Sequence, residues 1–298
     1  MRHGFVKVAA ATPKIKVADT VYNTEQIRLL MTESAAWGAR ITVFPELCIT
    51  GYTCQDLFLQ EKLIAGAKDA LMQLAEASAA IPGIYFVGLP YEINGKLYNV
   101  AAAISDGQVL GMVPKSWIPN YNEFYEMRHF ASGAELSTDV TLPDGSEVLV
   151  DREQLFVCEQ MNKLKIGVEL CEDLWTPNPP SIAHALAGAD VIVNLSASNE
   201  ITGKSAYRKE LVCGQSARLV SAYIYASAGE GESTQDLVFS GHNLIAENGR
   251  LLAESKRFGY GVIYTEIDVE KLIAERRRMT TFATQDGYAE TSFELEPE

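Results

Sequence analysis

Lys165-Ile-Gly-Val-Glu-Leu-Cys171-Glu-Asp-Leu-Trp175 is a short apolar run that ends on a thiol and turns at once into a polar segment. The layout occurs twice upstream. Ile41-Thr-Val-Phe-Pro45-Glu46-Leu47 is a compact strand stopped by proline and followed by a carboxylate, and Val109-Leu-Gly-Met-Val-Pro114-Lys115 ends on an amine. Ligands bind at strand ends in open α/β sheets, so the three side chains can meet in one crevice.

Working outward, β-rich runs alternate with helical stretches. Phe5 to Ala11 reads as a strand, Thr24 to Gly38 as a helix, Ile41 to Phe44 as a buried strand and Leu57 to Ala80 as an alanine-rich helix. Strands follow at Ile84 to Leu89, Tyr91 to Ile93, Lys96 to Ile104 and Gln108 to Pro114. Asn94-Gly95 and Asp106-Gly107 are hairpin signals, because both central turn residues need positive φ. A further strand pair is expected around Asp144-Gly145. The second half repeats the rhythm: strand Leu164 to Leu170, helix Pro180 to Ala187, strand Val191 to Leu195, helix Ala206 to Ser221, strand Ala222 to Ala228. A hairpin at Asn248-Gly249 and a strand over Gly261 to Asp268 precede a C-terminal extension, 269–298, that is partly helical, basic at Arg276 to Arg278 and acidic at its end. Two βαβα halves with hairpin insertions predict an α/β fold, a four-layer α-β-β-α sandwich, with 1–298 as a single domain.

Composition narrows the class. The 298 residues are 47% hydrophobic and 21% charged, with 25 Lys plus Arg against 39 Asp plus Glu for a net charge of −14. Such a surface repels phosphate backbones and anionic lipid, so nucleic acid and membrane are not expected partners. Cys48, Cys54, Cys158, Cys171 and Cys213 are scattered and odd in number, which argues against a disulfide framework. His3, His129, His184 and His242 stand apart, without zinc spacing, and no metal is expected. With no signal-peptide pattern and no long apolar stretch, a cytoplasmic protein is expected.

Taken singly, a cysteine after a strand is a small buried hydrophobe, and a lone Glu or Lys is a solvated charge. The conjunction points to amide cleavage. Cys171 would attack as thiolate, Glu46 would take and return a proton, and Lys115 would stabilise an oxyanion together with the backbone N–H after Cys171. Glu169, Glu172 and Asp173 crowd the thiol with negative charge, which calls for a compensating cation. No GxSxG occurs to support a serine nucleophile.

The three blocks resemble those of the nitrilase, or carbon–nitrogen hydrolase, superfamily, whose Glu–Lys–Cys triad has this chain order. Phe44-Pro45-Glu46-Leu47 is similar to the glutamate block. Pro114-Lys115-Ser-Trp-Ile-Pro119-Asn-Tyr121 with Phe124-Tyr-Glu126-Met-Arg128-His-Phe130 is similar to the lysine block, and Gly167 to Trp175 to the cysteine block. Positions 46, 115 and 171 lie 69 and 56 residues apart. Cys171-Glu172-Asp173-Leu174-Trp175, Gly51 to Phe58 and Asn194-Leu-Ser-Ala-Ser198 further resemble the glutaminase domains of glutamine-dependent NAD synthetases. The likeness implies the sandwich fold and a homodimer or higher homo-oligomer. It implies a glutamine amidohydrolase that forms a Cys thioester and feeds ammonia to ATP-dependent NAD synthesis. It assigns Tyr52, Tyr121, Glu172, Trp175, Ser198 and Lys204 to the glutamine pocket, Glu172 facing the α-amino group and Lys204 or Arg208 the carboxylate. A supporting second carboxylate falls on Glu126, with Glu123 as the competing assignment.

No Ser-Gly-Gly phosphate loop occurs in the 298 residues. The resemblance therefore implies no cofactor in this chain, with ATP and magnesium belonging to a synthetase domain or subunit outside it. Two other readings stand beside this one: an amidase or N-carbamoyl hydrolase acting alone on another small amide, and a non-catalytic binding subunit that keeps the nitrilase fold.

Overall fold

The computed structural model describes residues 4–161 and 164–295; His3 and the last three residues of the acidic end lie outside them. The first half of the alternation folds as β1 (Phe5–Thr12), α1 (Thr20–Ala36), β2 (Ile41–Val43), α2 (Glu61–Ser78) and β3 (Ile84–Ile93), with the three strands parallel. Then come β4 (Lys96–Ser105), β5 (Gln108–Pro114), β6 (Ser137–Thr141) and β7 (Glu147–Asp151). The second half runs β8 (Gln154–Cys158), β9 (Lys165–Leu170), α3 (Glu172–Trp175), α4 (Pro180–Leu186), β10 (Val191–Ser196), α5 (Lys204–Leu219) and β11 (Ala222–Ser227), with β9, β10 and β11 again parallel. The chain closes with β12 (Leu244–Glu247), β13 (Arg250–Glu254), β14 (Gly261–Asp268), α6 (Val269–Arg278) and β15 (Ala289–Phe293).

Among the described residues the strands form an eight-stranded sheet in the order β14-β1-β2-β3-β4-β5-β7-β6 and a seven-stranded sheet in the order β13-β12-β11-β10-β9-β8-β15. Three cores separate four layers. Val8, Val43 and Phe86 of the first sheet face Ile166, Val193 and Ile224 of the second, and Phe86 meets Phe156 edge-on at 5.6 Å. On the outer face of the first sheet, Tyr85 and Val87 pack under Ile27 and Met31 of α1 and Leu71 and Leu74 of α2. On the outer face of the second, Ile192 and Tyr223 pack under Ala185 of α4 and Val212 and Leu219 of α5. The result is the α-β-β-α sandwich. Both faces of β10 and β11 are covered, which is why Val191 to Val193 is apolar without alternation.

Hairpin chemistry holds at three of the four expected turns. Asn94-Gly95, Asp106-Gly107 and Asn248-Gly249 all take positive φ at both residues. Around Asp144-Gly145 only the glycine does, and the Asp144 carboxylate instead accepts from the Ser146 N–H at 2.9 Å in a wider turn. α1 starts four residues before the predicted Thr24, because Asp19 caps it by accepting from the Tyr22 N–H at 3.0 Å. The predicted helix from Leu57 is a 3₁₀ turn over Gln55–Leu59 followed by α2.

β3 runs unbroken through Pro90. The carbonyls of Phe86 and Gly88 point toward β2 and the loop beyond it, accepting from Phe44 and Ile49, so the missing N–H of Pro90 falls past the end of β2 and breaks no ladder. β8 and β15 were not read as strands. β15 pairs in parallel with β8, and Phe293 and Leu295 enter the core between the sheets. Part of the expected acidic tail is thus an edge strand whose alternation is too polar to register in the sequence.

Candidate active site

Lys115 and Cys171 follow directly on the carboxyl ends of β5 and β9, and Glu46 lies three residues past the end of β2. The loop after β2 is a tight turn in which the Gly51 N–H closes on the Leu47 carbonyl at 2.7 Å and Leu47 takes φ 52°. It rests on Gly88 of β3, where a Cβ would stand 2.3 Å from the Leu47 nitrogen and 2.7 Å from the Pro45 carbonyl oxygen. Lys115 is fixed by its own N–H on the Asn99 carbonyl at 2.8 Å. Cys171 sits between β9 and α3 with φ 41° and ψ −99°, a strained backbone for a residue with a Cβ. Its N–H is held by the Leu195 carbonyl at 3.0 Å and by Asn194 Oδ1 at 3.2 Å.

The charged centre is buried, and its ammonium and two carboxylates are paired with one another. Lys115 Nζ, 1% exposed, donates to Glu46 Oε1 at 2.6 Å and to both oxygens of Glu126 at 2.8 Å. Glu46, wholly buried, also accepts from Asn99 Nδ2 at 2.7 Å and, on Oε2, from the Ala197 N–H at 2.9 Å. Glu126 takes the Tyr52 hydroxyl at 2.7 Å.

Burial is the largest effect on Lys115 and works against its charge. Glu126 and Glu46 together reverse it, so the ammonium stays charged well beyond the ordinary lysine range. Burial pushes Glu126 up to about 7, against the pull of Lys115. The Cys171 thiol is pushed far up, first by burial and then by the Glu46 charge, with Lys115 pulling the other way. Such a thiol holds its proton until a base takes it.

The carboxylates acting on the thiol are therefore Glu46 and Glu126, which arrive from the other sheet, rather than the sequence neighbours expected to crowd it. Glu169 points away, accepting from the Ser181 N–H at 2.8 Å and from the Tyr223 hydroxyl. Asp173, 1% exposed, turns back to accept from the Leu170 N–H at 3.1 Å and from the lysine loop at Trp117 (2.8 Å) and Ser116 (3.4 Å). Asp173 thus ties the cysteine block to the lysine block, a role its sequence position did not reveal.

Around this centre Glu172 accepts the Tyr121 hydroxyl at 2.7 Å. The Lys204 ammonium lies over the rings of Trp175 (5.1 Å) and Phe124 (5.4 Å) and is bound to Asn199 Oδ1. Burial lowers its pKa, while the Cys171, Glu123 and Glu172 groups raise it. Of the two carboxylates weighed for contact with Lys115, Glu126 makes it; Glu123 accepts from Asn199 Nδ2 at 2.6 Å. Of the two cations weighed for a carboxylate, Arg208 is wholly buried and donates to Ser198, Asn199 and Glu200, and Lys204 is partly exposed.

Sequence reasoning also missed Asn99, the Ala197 N–H and Glu232. The Glu232 carboxylate grips the Tyr52 N–H at 2.8 Å and the Thr53 N–H at 3.3 Å. Among the described residues no three His, Cys, Asp or Glu side chains are grouped to hold a metal ion, and no helix is long and apolar enough to cross a membrane. A thiol, a buried carboxylate beside it and a held ammonium are the parts needed for nucleophilic attack on a carbonyl.

Residues 7–277 match the carbon–nitrogen hydrolase family. The chain is 42% identical over 283 residues to a glutamine-dependent NAD(+) synthetase of Mycobacterium tuberculosis, covering 94% of this chain and 42% of that protein. It is 38% identical to the Mycobacterium leprae protein of the same name, covering 99% of this chain and 45% of that one. The chain therefore spans less than half the length of these relatives. The crystal structure of a glutamine-dependent NAD(+) synthetase from Cytophaga hutchinsonii superposes with a TM-score of 0.79 at 29% identity, covering 88% of this chain and 43% of that one. An amidase of the nitrilase superfamily from Nesterenkonia shares the fold at 17% identity, with a TM-score of 0.70 over 94% of this chain and 97% of its own.

Proposed function

We propose that this chain, which belongs to the carbon–nitrogen hydrolase family, hydrolyses the side-chain amide of glutamine through a thioester on Cys171 and supplies ammonia to ATP-dependent NAD synthesis. The observation that carries the reading is Lys115, held charged by Glu46 and Glu126 within electrostatic reach of the Cys171 thiol.

The chemistry follows from the charges. The thiol proton passes to Glu46 as Sγ attacks the amide carbon, because a buried thiol of raised pKa stores no thiolate. The C–S bond forms while the carbonyl π pair moves to oxygen. That oxyanion meets the Lys115 ammonium and the Glu172 N–H, which at the first position of α3 has no intrahelical acceptor. Collapse breaks the C–N bond, and the departing amine takes the proton from Glu46 to leave as ammonia. Water, deprotonated by Glu46, then attacks the thioester; the C–S bond breaks, the thiolate regains its proton and glutamate is released.

Glu172 with Tyr121 supplies acceptor groups for the substrate's α-ammonium, and Lys204 with Ser198 supplies donors for its α-carboxylate. The names of the relatives, and the share of their length that this chain spans, support a synthetase region or subunit as the destination of the ammonia. ATP and magnesium would be bound there, and no residue of this chain is assigned to them. We take residues 1–298 as one glutaminase-type unit, self-associating and cytoplasmic.

The test is Cys171→Ala, which abolishes glutamate release while circular dichroism stays that of the parent. A diazo-ketone analogue of glutamine adds its mass to the Cys171 peptide. Undiminished turnover by the variant, or a label on Cys158 or Cys213, refutes the assignment.

A further inference from the structure

We propose that Glu169 is a positioning residue for the nucleophile: through Tyr223 and Asn194 its carboxylate decides which end of a buried amide meets the Cys171 N–H. This assignment rests on the thioester reading above, which makes Cys171 the attacking group.

Glu169 on β9 and Asn194 on β10 are register partners, and both are wholly buried, as is Tyr223 of β11. The Tyr223 hydroxyl donates to Glu169 Oε1, and the Ser181 N–H donates to Oε2 at 2.8 Å. The Ser181 hydroxyl accepts from Gln215 Nε2 at 3.0 Å, which leaves its own proton for the same carboxylate. Burial pushes Glu169 up, while the Tyr223, Ser181 and Asn194 donors pull the other way.

Asn194 Nδ2 donates to the Tyr223 hydroxyl oxygen at 3.0 Å and also reaches Glu169. Its Oδ1 accepts from the Ser196 hydroxyl at 2.6 Å and from the Cys171 N–H at 3.2 Å, a proton shared with the Leu195 carbonyl at 3.0 Å. A carboxylate only accepts, and Tyr223 has already given it its proton, so the end of Asn194 that faces them must be the NH2. The oxygen is thereby left for Cys171. Turned over, the amide would set Oδ1 against acceptors and Nδ2 against the Cys171 N–H. That N–H belongs to a residue held at φ 41° and ψ −99°, a conformation that persists only where its surroundings over-determine it. The Leu195 carbonyl alone lets the peptide swing about one bond; a second acceptor fixes its direction.

Ammonia release from glutamine is measured for the parent, Glu169→Gln, Tyr223→Phe, Asn194→Asp and the double variant Glu169→Gln/Asn194→Asp, with folding followed by circular dichroism. In Glu169→Gln the new amide keeps its oxygen on the Ser181 N–H, so its NH2 donates to Tyr223. The Tyr223 proton then turns to Asn194, which reverses. Misplacing a reacting group by about 1 Å costs on the order of 10²-fold, and kcat should fall by roughly that factor. KM should stay within about twofold of the parent's, because none of the three residues belongs to the pocket assigned above. Tyr223→Phe removes the link and should lose roughly tenfold in kcat. Asn194→Asp sets two buried carboxylates side by side and should lose as much as Glu169→Gln. The double variant reverses each donor and acceptor between the two positions yet keeps an oxygen on the Cys171 N–H. Its kcat should therefore exceed that of both its single variants and return to within roughly tenfold of the parent.

Losses that multiply in the double variant overturn the proposal, since a merely structural role gives no rescue. A parental kcat in Tyr223→Phe overturns it too, even where Glu169→Gln fails to fold. Turnover that survives Cys171→Ala overturns the nucleophile itself, a failure of the thioester reading that is seen apart from the relay.

Discussion

Replacing Asp173 with alanine separates the tie between the two catalytic blocks from the catalytic groups themselves. The substitution leaves the Leu170 and Trp117 N–H groups without an acceptor, and the longer contact from Ser116 counts for less. Each orphaned buried donor costs about 1–3 kcal/mol, which gives roughly 2–6 kcal/mol for the pair. The charge itself offsets part of this, because burial pushes the Asp173 carboxyl up to about 7 and its removal relieves that desolvation. A net loss of roughly 2–3 kcal/mol is expected, within the stability of an ordinary domain of about 5–15 kcal/mol. Ser116 and Trp117 directly follow Lys115, so freeing them lets the ammonium drift from Cys171; a shift of about 1 Å costs on the order of 10²-fold in rate. Urea unfolding and steady-state ammonia release measure the two effects, and KM for glutamine should stay near the parent's because Asp173 is turned away from the pocket. Asp173→Asn keeps one accepting oxygen and should recover part of both losses. An alanine variant that loses stability at parental kcat would show the tie to be structural only, and one that loses neither would refute the reasoning.

Glu126→Gln removes one of the two carboxylates holding Lys115 charged; kcat should fall roughly 10²-fold with little change in KM, measured by ammonia release. Gly88→Ala places a methyl against the backbone of Pro45 to Leu47, which cannot yield, so stability should drop by about 1–3 kcal/mol with activity falling alongside as Glu46 shifts, read by unfolding and initial rates. Glu232 is pushed up to about 7, first by burial, against the N–H groups of Tyr52 and Thr53. A carboxylate whose folded pKa is raised contributes stability below its unfolded pKa and loses that contribution as pH rises through about 7. Between pH 5.5 and 8 Glu232→Gln should therefore lose about 2 kcal/mol less stability than the parent in urea titrations, with Glu126 and Asp173 supplying the slope that remains.

The polymer pattern alone determined a great deal. Three apolar runs ending on Glu46, Lys115 and Cys171 were legible as strand ends, because a covered strand must be apolar on both faces and proline or a turn must stop it. Asn94-Gly95, Asp106-Gly107 and Asn248-Gly249 were legible as hairpins, because positive φ at two successive residues selects those pairs. Two βαβα halves then imply four layers.

What the chain pattern left open depends on groups far apart in sequence. Glu123 and Glu126 are interchangeable by composition; only the approach of β5 to the turn at Glu126–Arg128 gives Lys115 to the second and Asn199 to the first. Arg208 and Lys204 stand one helical turn apart as equal cations, and it is the packing of α5 on β11 and β12 that buries one among Ser198, Asn199 and Glu200 and leaves the other over Trp175. Asp173 reads as one more charge beside the thiol until folding brings Trp117, 56 residues earlier, against it. Local periodicity reports which face of an element is buried, whereas the partner of a buried charge is set by which elements meet. Most strands and turns were therefore set by neighbours along the chain, whereas the edge pair β8 and β15 and the pairing of the charges were set by which elements meet.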